Sequence, residues 1–220
     1  MNVVGPGITA EDYENGKAKP IDVFEGRLQT WILAFARHIA HEHEQKDHSG
    51  IAVLLLASSV LEPLGGVLPA GNGPKNSEGK FCDGFEYVFK DMPRSTDLSV
   101  VAKRVCNLLR HGLYHEASIK AGVVLTAQNV PITEEKGIIS IDPARFLDAV
   151  MTATSRLCGE IRSAPRNSPS QRSFDAYWNQ KESDQENKLT SLVTPGAKYP
   201  PECGTSTIAP AGSSGFFTKP

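Results

Sequence analysis

The sequence predicts a mainly α-helical protein: a helical bundle with a small β-hairpin between the last two helices and a disordered C-terminal tail. Three observations predict it. Apolar residues recur at spacings of three and four over several segments, which is the period of an amphipathic helix. Short β-branched runs lie between residues 122 and 141, and Pro, Ser, Thr and Gly are frequent in the last 58 residues.

The composition is that of a folded protein without a strong overall charge. The 220 residues are 40% hydrophobic and 22% charged, which excludes a disordered or fibrous chain. Lys and Arg number 23 against 25 Asp and Glu, so the net charge is −2. A chain with this balance does not attract nucleic acid or acidic membranes at long range, and any such contact requires a local cluster.

Cysteine usage and hydropathy predict a cytoplasmic protein. Cys82, Cys106, Cys158 and Cys203 are far apart without a CxxC pair, so we expect reduced thiols. The first residues have no secretory signal pattern. The longest apolar run, Ile51 to Leu61, is about half of the roughly 20 residues that a membrane helix needs, so no membrane contact is expected.

The first helix is predicted from about Ile21 to Gln45, after an N-terminal extension over residues 1–20 that contains several Pro and Gly. Gly50 to Glu62 is apolar nearly all round, as in a central helix, and Pro63 with the following glycines is expected to end it. The apolar face expected to be buried in the first helix consists of Phe24, Leu28, Trp31, Ile32, Phe35 and Ile39.

A third long helix is predicted to begin after Ser95, Thr96 or Asp97, which are good N-caps, and to end near Lys120. Phe81 to Phe89, just before it, does not show a clear period. The apolar stripe of the helix is Leu98, Val101, Val105, Leu108, Leu109 and Leu113. The opposite, polar side is Lys103, Arg104, Asn107, Arg110, His111, Tyr114 and His115.

A hairpin and a last helix complete the predicted domain over residues 21–162. Gly122 to Gln128 and Gly137 to Ile141 are the expected strands, around a turn from Pro131 to Lys136. Asp142 and Pro143 are typical of a helix start, and this helix is expected to reach about Ile161. Its inward face is predicted to be Phe146, Val150, Leu157 and Ile161, and residues 163–220 are predicted to be a flexible low-complexity tail.

The residues from Arg104 to Glu116 suggest chemistry on RNA because two arginines and two histidines lie on the polar side of one helix. Imidazole titrates near neutral pH, so it can accept a proton from a 2′-hydroxyl or donate one to a leaving 5′-oxygen. Guanidinium can stabilise the charge that develops on the phosphate oxygens. Cleavage by these groups needs no metal or other cofactor.

The segment RHGLYHE, residues 110–116, resembles the signature of the HEPN superfamily, an Arg followed by four to six residues and a His. The resemblance covers about Ile21 to Arg162. It implies a metal-independent ribonuclease that leaves 2′,3′-cyclic phosphate ends, as in toxin and defence systems, with a possible antitoxin or other partner protein. Arg110 and His115 would be catalytic with His111 in support, and Arg104, Asn107 and Tyr114 would contact the RNA.

The resemblance also implies a homodimer whose two motifs face one cleft, and helix geometry agrees with this. Residues five apart on an α-helix are about 140° apart, so Arg110 and His115 of one chain do not converge readily. A second copy or a local break at Gly112 would relieve this. Arg104 and His111 fall within about 40° and are a second possible pair, although Val105 is a poor fit to the polar position.

Two other functions stay open. A HEPN-like module without catalytic activity could dimerise and bind nucleic acid or a protein, which the near-neutral charge favours slightly. A metal-binding protein could use the histidine cluster, although no HExxH spacing is present and a solvated helix end explains it more simply. The cluster consists of His38, His41, His43 and His48.

Overall fold

The computed structural model describes residues 3–42, 49–69, 75–92, 97–110 and 122–193. Within them the protein is mainly helical with two small sheets, which confirms the predicted fold class. The chain divides into two units, Met1–Gln180 and Lys181–Pro220. The second unit is described only as far as Val193, where the last helix ends.

The N-terminal residues belong to the first unit. Strands β1 (Val3–Gly5) and β2 (Ile8–Thr9) form an antiparallel pair, and helix α1 (Ala10–Glu14) follows with Thr9 as its N-cap. The Arg27 Nε donates a hydrogen bond of 2.7 Å to the Val4 carbonyl. The segment predicted as an extension therefore packs against the helical domain.

The first long helix contains a π-helical segment, and this changes which face is buried. Helix α2 (Pro20–Gly26) continues through a π-helix (Arg27–Leu33) into α3 (Ala34–Glu42). The wider i→i+5 winding shifts the phase of later residues, so Leu33 and Ala36 are fully buried. The prediction that Trp31 and Phe35 are buried was wrong, since they are 50% and 55% exposed, whereas Phe24 and Leu28 are in the core.

The apolar central segment forms two helices, α4 (Ser49–Ser59) and α5 (Leu61–Val67), with the break at Val60. The expectation that Pro63 and the glycines after it end the helix was wrong, because Pro63 lies in the first turn of α5, where its missing N–H costs little. Ser49–Val67 is long and apolar enough to cross a membrane, but half of it is buried inside the structure. A core helix of a soluble protein has this same character.

Helix α6 (Ser77–Phe89) packs on α5, helix α7 (Leu98–Val105) packs on α6, and a second π-helical segment (Cys106–Arg110) continues α7. The aromatic stretch of uncertain type is thus helical. Of the predicted α7 stripe, Val101, Val105 and Leu109 are buried, while Leu98 and Leu108 are half-buried. Leu113 lies outside the described residues.

The second sheet contains the predicted hairpin with different strands. β4 (Ile132–Glu135) and β5 (Ile138–Ile141) pair antiparallel, and β3 (Val123–Leu125) pairs parallel to β5 on its other edge. The segment predicted as the turn is therefore β4, and the true turn is Lys136–Gly137. Both turn residues have positive φ, 50° and 80°, as a two-residue type I′ turn requires.

Helix α8 (Pro143–Ser163) follows the sheet as predicted. The Asp142 carboxylate accepts hydrogen bonds of 3.0 Å from the N–H groups of Ala144 and Arg145, which caps the helix. All four residues of the predicted inward face are buried, namely Phe146, Val150, Leu157 and Ile161.

The prediction of a flexible tail from residue 163 was wrong over its first part, where helix α9 (Pro169–Val193) forms. Phe174 is 1% exposed and its ring lies 5.7 Å from the ring of Phe24. Trp178 is also buried, and its Nε1 donates a hydrogen bond of 2.8 Å to the Tyr13 hydroxyl. Few but large apolar residues anchor the helix, which is why composition suggested a tail.

Candidate functional site

The predicted catalytic segment lies mostly beyond the part of the chain that the structure describes. Arg104, Asn107 and the backbone of Arg110 are described. The Arg110 side chain is not, and His111, Tyr114 and His115 lie in the range 111–121, which is outside the described residues. The structure therefore describes the helix that precedes the motif, up to Arg110.

The helix that leads to the motif is fixed at its start and along its inner face. The Asp97 carboxylate accepts hydrogen bonds from the backbone N–H of Ser99 at 3.0 Å and from the Ser99 hydroxyl at 2.9 Å. These bonds lower the pKa of Asp97 below its ordinary value. Val105, Cys106 and Leu109 are fully buried, so the side chains of this face hold the helix against the core.

The guanidinium of Arg104 is engaged by the hairpin. Its Nη1 forms an ion pair with the Glu134 carboxylate on β4, and its Nη2 donates a hydrogen bond of 2.5 Å to the carbonyl of Gly137. The two side chains are 31% and 20% exposed. A phosphate contact from Arg104 would have to compete with this ion pair. In the second possible motif, Arg104 with His111, the guanidinium is thus already bound to a carboxylate.

Asn107 is exposed on the second π-helical segment, as its predicted polar position requires. In this winding the hydrogen bonds join residues five apart, so such residues lie near one face. The angle between Arg110 and His115, on which the expectation of two copies rests, lies outside the described residues.

The histidine cluster does not form a metal site among the described residues. His38 and His41 are exposed on α3, and His43 and His48 lie outside the described range. No group of three or more His, Cys, Asp or Glu side chains with metal-binding geometry occurs in the described part of the chain. The metal-binding hypothesis therefore has no structural support from His38 and His41 alone.

A cavity of about 450 Å³ lies beside the Arg104–Glu134 pair, between α6, α7, β4 and α8. It has the volume of a small-molecule site. Its polar side chains are those of Asp91, Thr133 and Glu134, and the Asp91 carboxylate pairs with Arg156 at 3.2 Å. Most of its lining is apolar, including Val88, Phe89, Met92, Leu98, Val101 and Ile132.

The exposed rings of Trp31 and Phe35 are a surface feature that the helical period did not reveal. They are four residues apart and point away from the core because of the π-helical segment. The signal in the sequence is the spacing of five between the buried Leu28 and Leu33, which matches a π-helix and not an α-helix.

The chain has no significant match to a protein-family model, to a curated protein or to a solved structure.

Proposed function

We propose that the protein is a HEPN-like, metal-independent endoribonuclease that leaves 2′,3′-cyclic phosphate and 5′-hydroxyl ends. The observation that carries the proposal is the sequence RHGLYHE, residues 110–116, whose first residue is the last described residue of an anchored helix in a mainly helical fold. Arg110 would stabilise the developing charge on the phosphate, and His115 would transfer the proton, with His111 in support.

The engagement of Arg104 by Glu134 favours Arg110 as the arginine that acts on the phosphate. A guanidinium that already has a carboxylate partner is a poor electrostatic stabiliser, because its charge is partly neutralised before the transition state forms. Asn107 and Tyr114 would contact the RNA. The active unit would be a homodimer in the cytoplasm, and a protein antitoxin would be a natural partner of such an activity.

The test is cleavage of structured RNA in the presence of EDTA. The proposal expects cutting with 2′,3′-cyclic phosphate ends, and loss of cutting in Arg110→Ala and in His115→Ala. Arg166→Ala and His41→Ala are matched controls, because both side chains are exposed and far from the motif in sequence. Unchanged activity in the two motif variants, or activity that EDTA removes, would refute the proposal.

A binding module of the same fold without catalysis is the second candidate. The net charge of −2 and the occupied guanidinium of Arg104 favour it, since a nuclease needs an electrostatic attraction for its substrate. It predicts that a complex with RNA or a protein forms while the RNA stays intact. An electrophoretic shift assay beside the cleavage assay separates the two candidates.

A further inference from the structure

Three planar side chains form an exposed stripe on the helix from α2 to α3. Trp31 and Phe35 are 50% and 55% exposed, and His38 is exposed one turn further along. Phe35 and His38, both on α3, are about 4.5 Å apart along the axis at the α-helical rise of about 1.5 Å per residue. Trp31 precedes Phe35 by four residues and lies in the π-helical segment. We call Trp31, Phe35 and His38 the ring stripe.

The ring stripe exists because of the π-helical segment. Leu33 and Ala36 take the core positions that an α-helical continuation from Leu28 would give to Phe35 and its neighbours. π-Helical segments are rare, and they occur frequently at functional sites. A short, energetically unfavourable segment that orients two large aromatic side chains toward solvent indicates a role for those residues outside the core.

The area of the ring stripe suits a small planar group better than a second protein copy. A ring buries about 150–250 Å² when covered, so the half-exposed Trp31 and Phe35 offer about 200 Å² together. A stable protein interface needs about 800 Å² on each partner. A helix of another copy would also need aliphatic neighbours, and within α3, whose residues are all described, the exposed aliphatic residue is Ala34.

We propose that the ring stripe binds single-stranded RNA by stacking of successive bases. This rests on the proposed ribonuclease function, which supplies the polymer. Every base has a planar face that can stack on Trp, Phe or His, with little preference for sequence. The axial spacing of about 4.5 Å between Phe35 and His38 exceeds the 3.4 Å step of a duplex strand, so the stripe fits bases that are already unstacked.

Electrostatics make a small contribution to this contact. Arg37, the nearest arginine along α3, lies 3.5 Å from the Asp148 carboxylate, which compensates its charge. The salt dependence of binding is therefore shallow. The slope of log K against log salt lies between zero and about −1.4, which corresponds to at most two phosphate contacts on a single strand.

The experiment measures binding of a short single-stranded 2′-O-methyl RNA to the full chain. This probe has no free 2′-hydroxyl, so it is bound without being cut. Trp31→Leu and Phe35→Leu keep an apolar side chain but remove the ring, and each weakens binding about 5-fold to 100-fold. Trp31→Phe keeps a ring and binds within a few-fold of the original. Val100→Leu is the control, because Val100 is exposed on another helix.

Each outcome decides the inference. Preference for the single strand over the matching duplex, with loss in both leucine variants, supports it. Equal binding by the leucine variants, or no binding by the original chain, overturns it. A change of oligomeric state in these variants without RNA binding also overturns it and assigns the rings to a second copy. If the chain binds ordinary RNA without cleaving it, the ribonuclease proposal is refuted and the stacking proposal stands. If the leucine variants cleave RNA as well as the original chain does, the stacking proposal is refuted and the ribonuclease proposal stands.

Discussion

Gly65 and Gly84 face each other where α5 crosses α6, and each lies against the backbone of the other helix. A methyl group on Gly84 would lie 1.9 Å from the Leu61 carbonyl oxygen, and one on Gly65 would lie 1.8 Å from the Lys80 carbonyl oxygen. No backbone atom can move away without separating the helices. The missing side chains therefore set the distance between the two central helices.

We predict that Gly84→Ala lowers the free energy of unfolding by about 3 kcal/mol or more, because the two helices must separate or bend. Chemical denaturation measures this. Gly159→Ala is the matched control on α8, where nothing lies within 4 Å of the added methyl group. That variant should gain about 0.5–1 kcal/mol from better helix propensity. Equal effects of the two substitutions would contradict the close crossing.

The second prediction concerns the phase shift at the first π-helical segment. Leu33 is fully buried, so Leu33→Ala should cost about 2–5 kcal/mol of stability. Phe35 is 55% exposed, so Phe35→Ala should change the stability by about 0.5 kcal/mol or less. Denaturant unfolding of the two variants measures both. A larger loss of stability for Phe35→Ala than for Leu33→Ala would mean that Phe35 is the core residue and that the helix keeps an uninterrupted α-helical period.

Local signals were sufficient where the structure depends on neighbouring residues. The Asp142 carboxylate caps the N–H groups two and three residues ahead, and Pro143 fits the first helical position, so α8 begins where the sequence indicates. The inner faces of α7 and α8 follow the ordinary helical period, and this period alone identifies Val101, Val105 and Phe146 as core residues.

Longer-range features could not be predicted in the same way. The parallel pairing of β3 with β5 joins Val123 to Ile139, and nothing in either short strand specifies the other as its partner. Helix α9 is held by Phe174 and Trp178 against residues near the N-terminus, a contact between distant parts of the chain. Composition averages over such single anchors, so it suggested a flexible tail.

The candidate site shows both cases. The polar side of α7 was visible from its period, and Asn107 is exposed as expected. The engagement of Arg104 was not visible, because Glu134 is 30 residues away in sequence. The assignment of Arg110, His111 and His115 to catalysis is still a prediction.

The third prediction is that Arg104 and Glu134 couple α7 to the hairpin. Both side chains are partly shielded, so a double-mutant cycle of Arg104→Ala and Glu134→Ala should give a coupling energy of about 1 kcal/mol. Thermal or denaturant unfolding of the four proteins measures it. Arg37 and Asp148, which are about half exposed and 3.5 Å apart, are the control pair and should couple by less than about 0.5 kcal/mol. A coupling as weak as that of the control would show that Arg104 is free to contact a substrate.

The last prediction concerns the thiols at positions 82, 106 and 158, which are buried and form no disulfide in the described part of the chain. Burial raises the pKa of Cys158 from its ordinary value of 9.0 to about 12, and the nearby Glu25 carboxylate adds to the rise. An unfolded chain loses this proton near pH 9, whereas the folded chain keeps it. The stability is therefore complete below about pH 9 and falls as the pH rises toward about 12.

Cys158→Ala should flatten the alkaline slope of the free energy of unfolding, by at most about 1.4 kcal/mol per pH unit. Denaturant unfolding at several pH values between about 9 and 11 measures this slope. Thr154→Ala is the control, because Thr154 is fully buried on the same helix and does not titrate. It should lower the stability equally at every pH. If Cys158→Ala had the same slope as the original chain, the thiol would titrate alike in both states, and burial would not hold its proton.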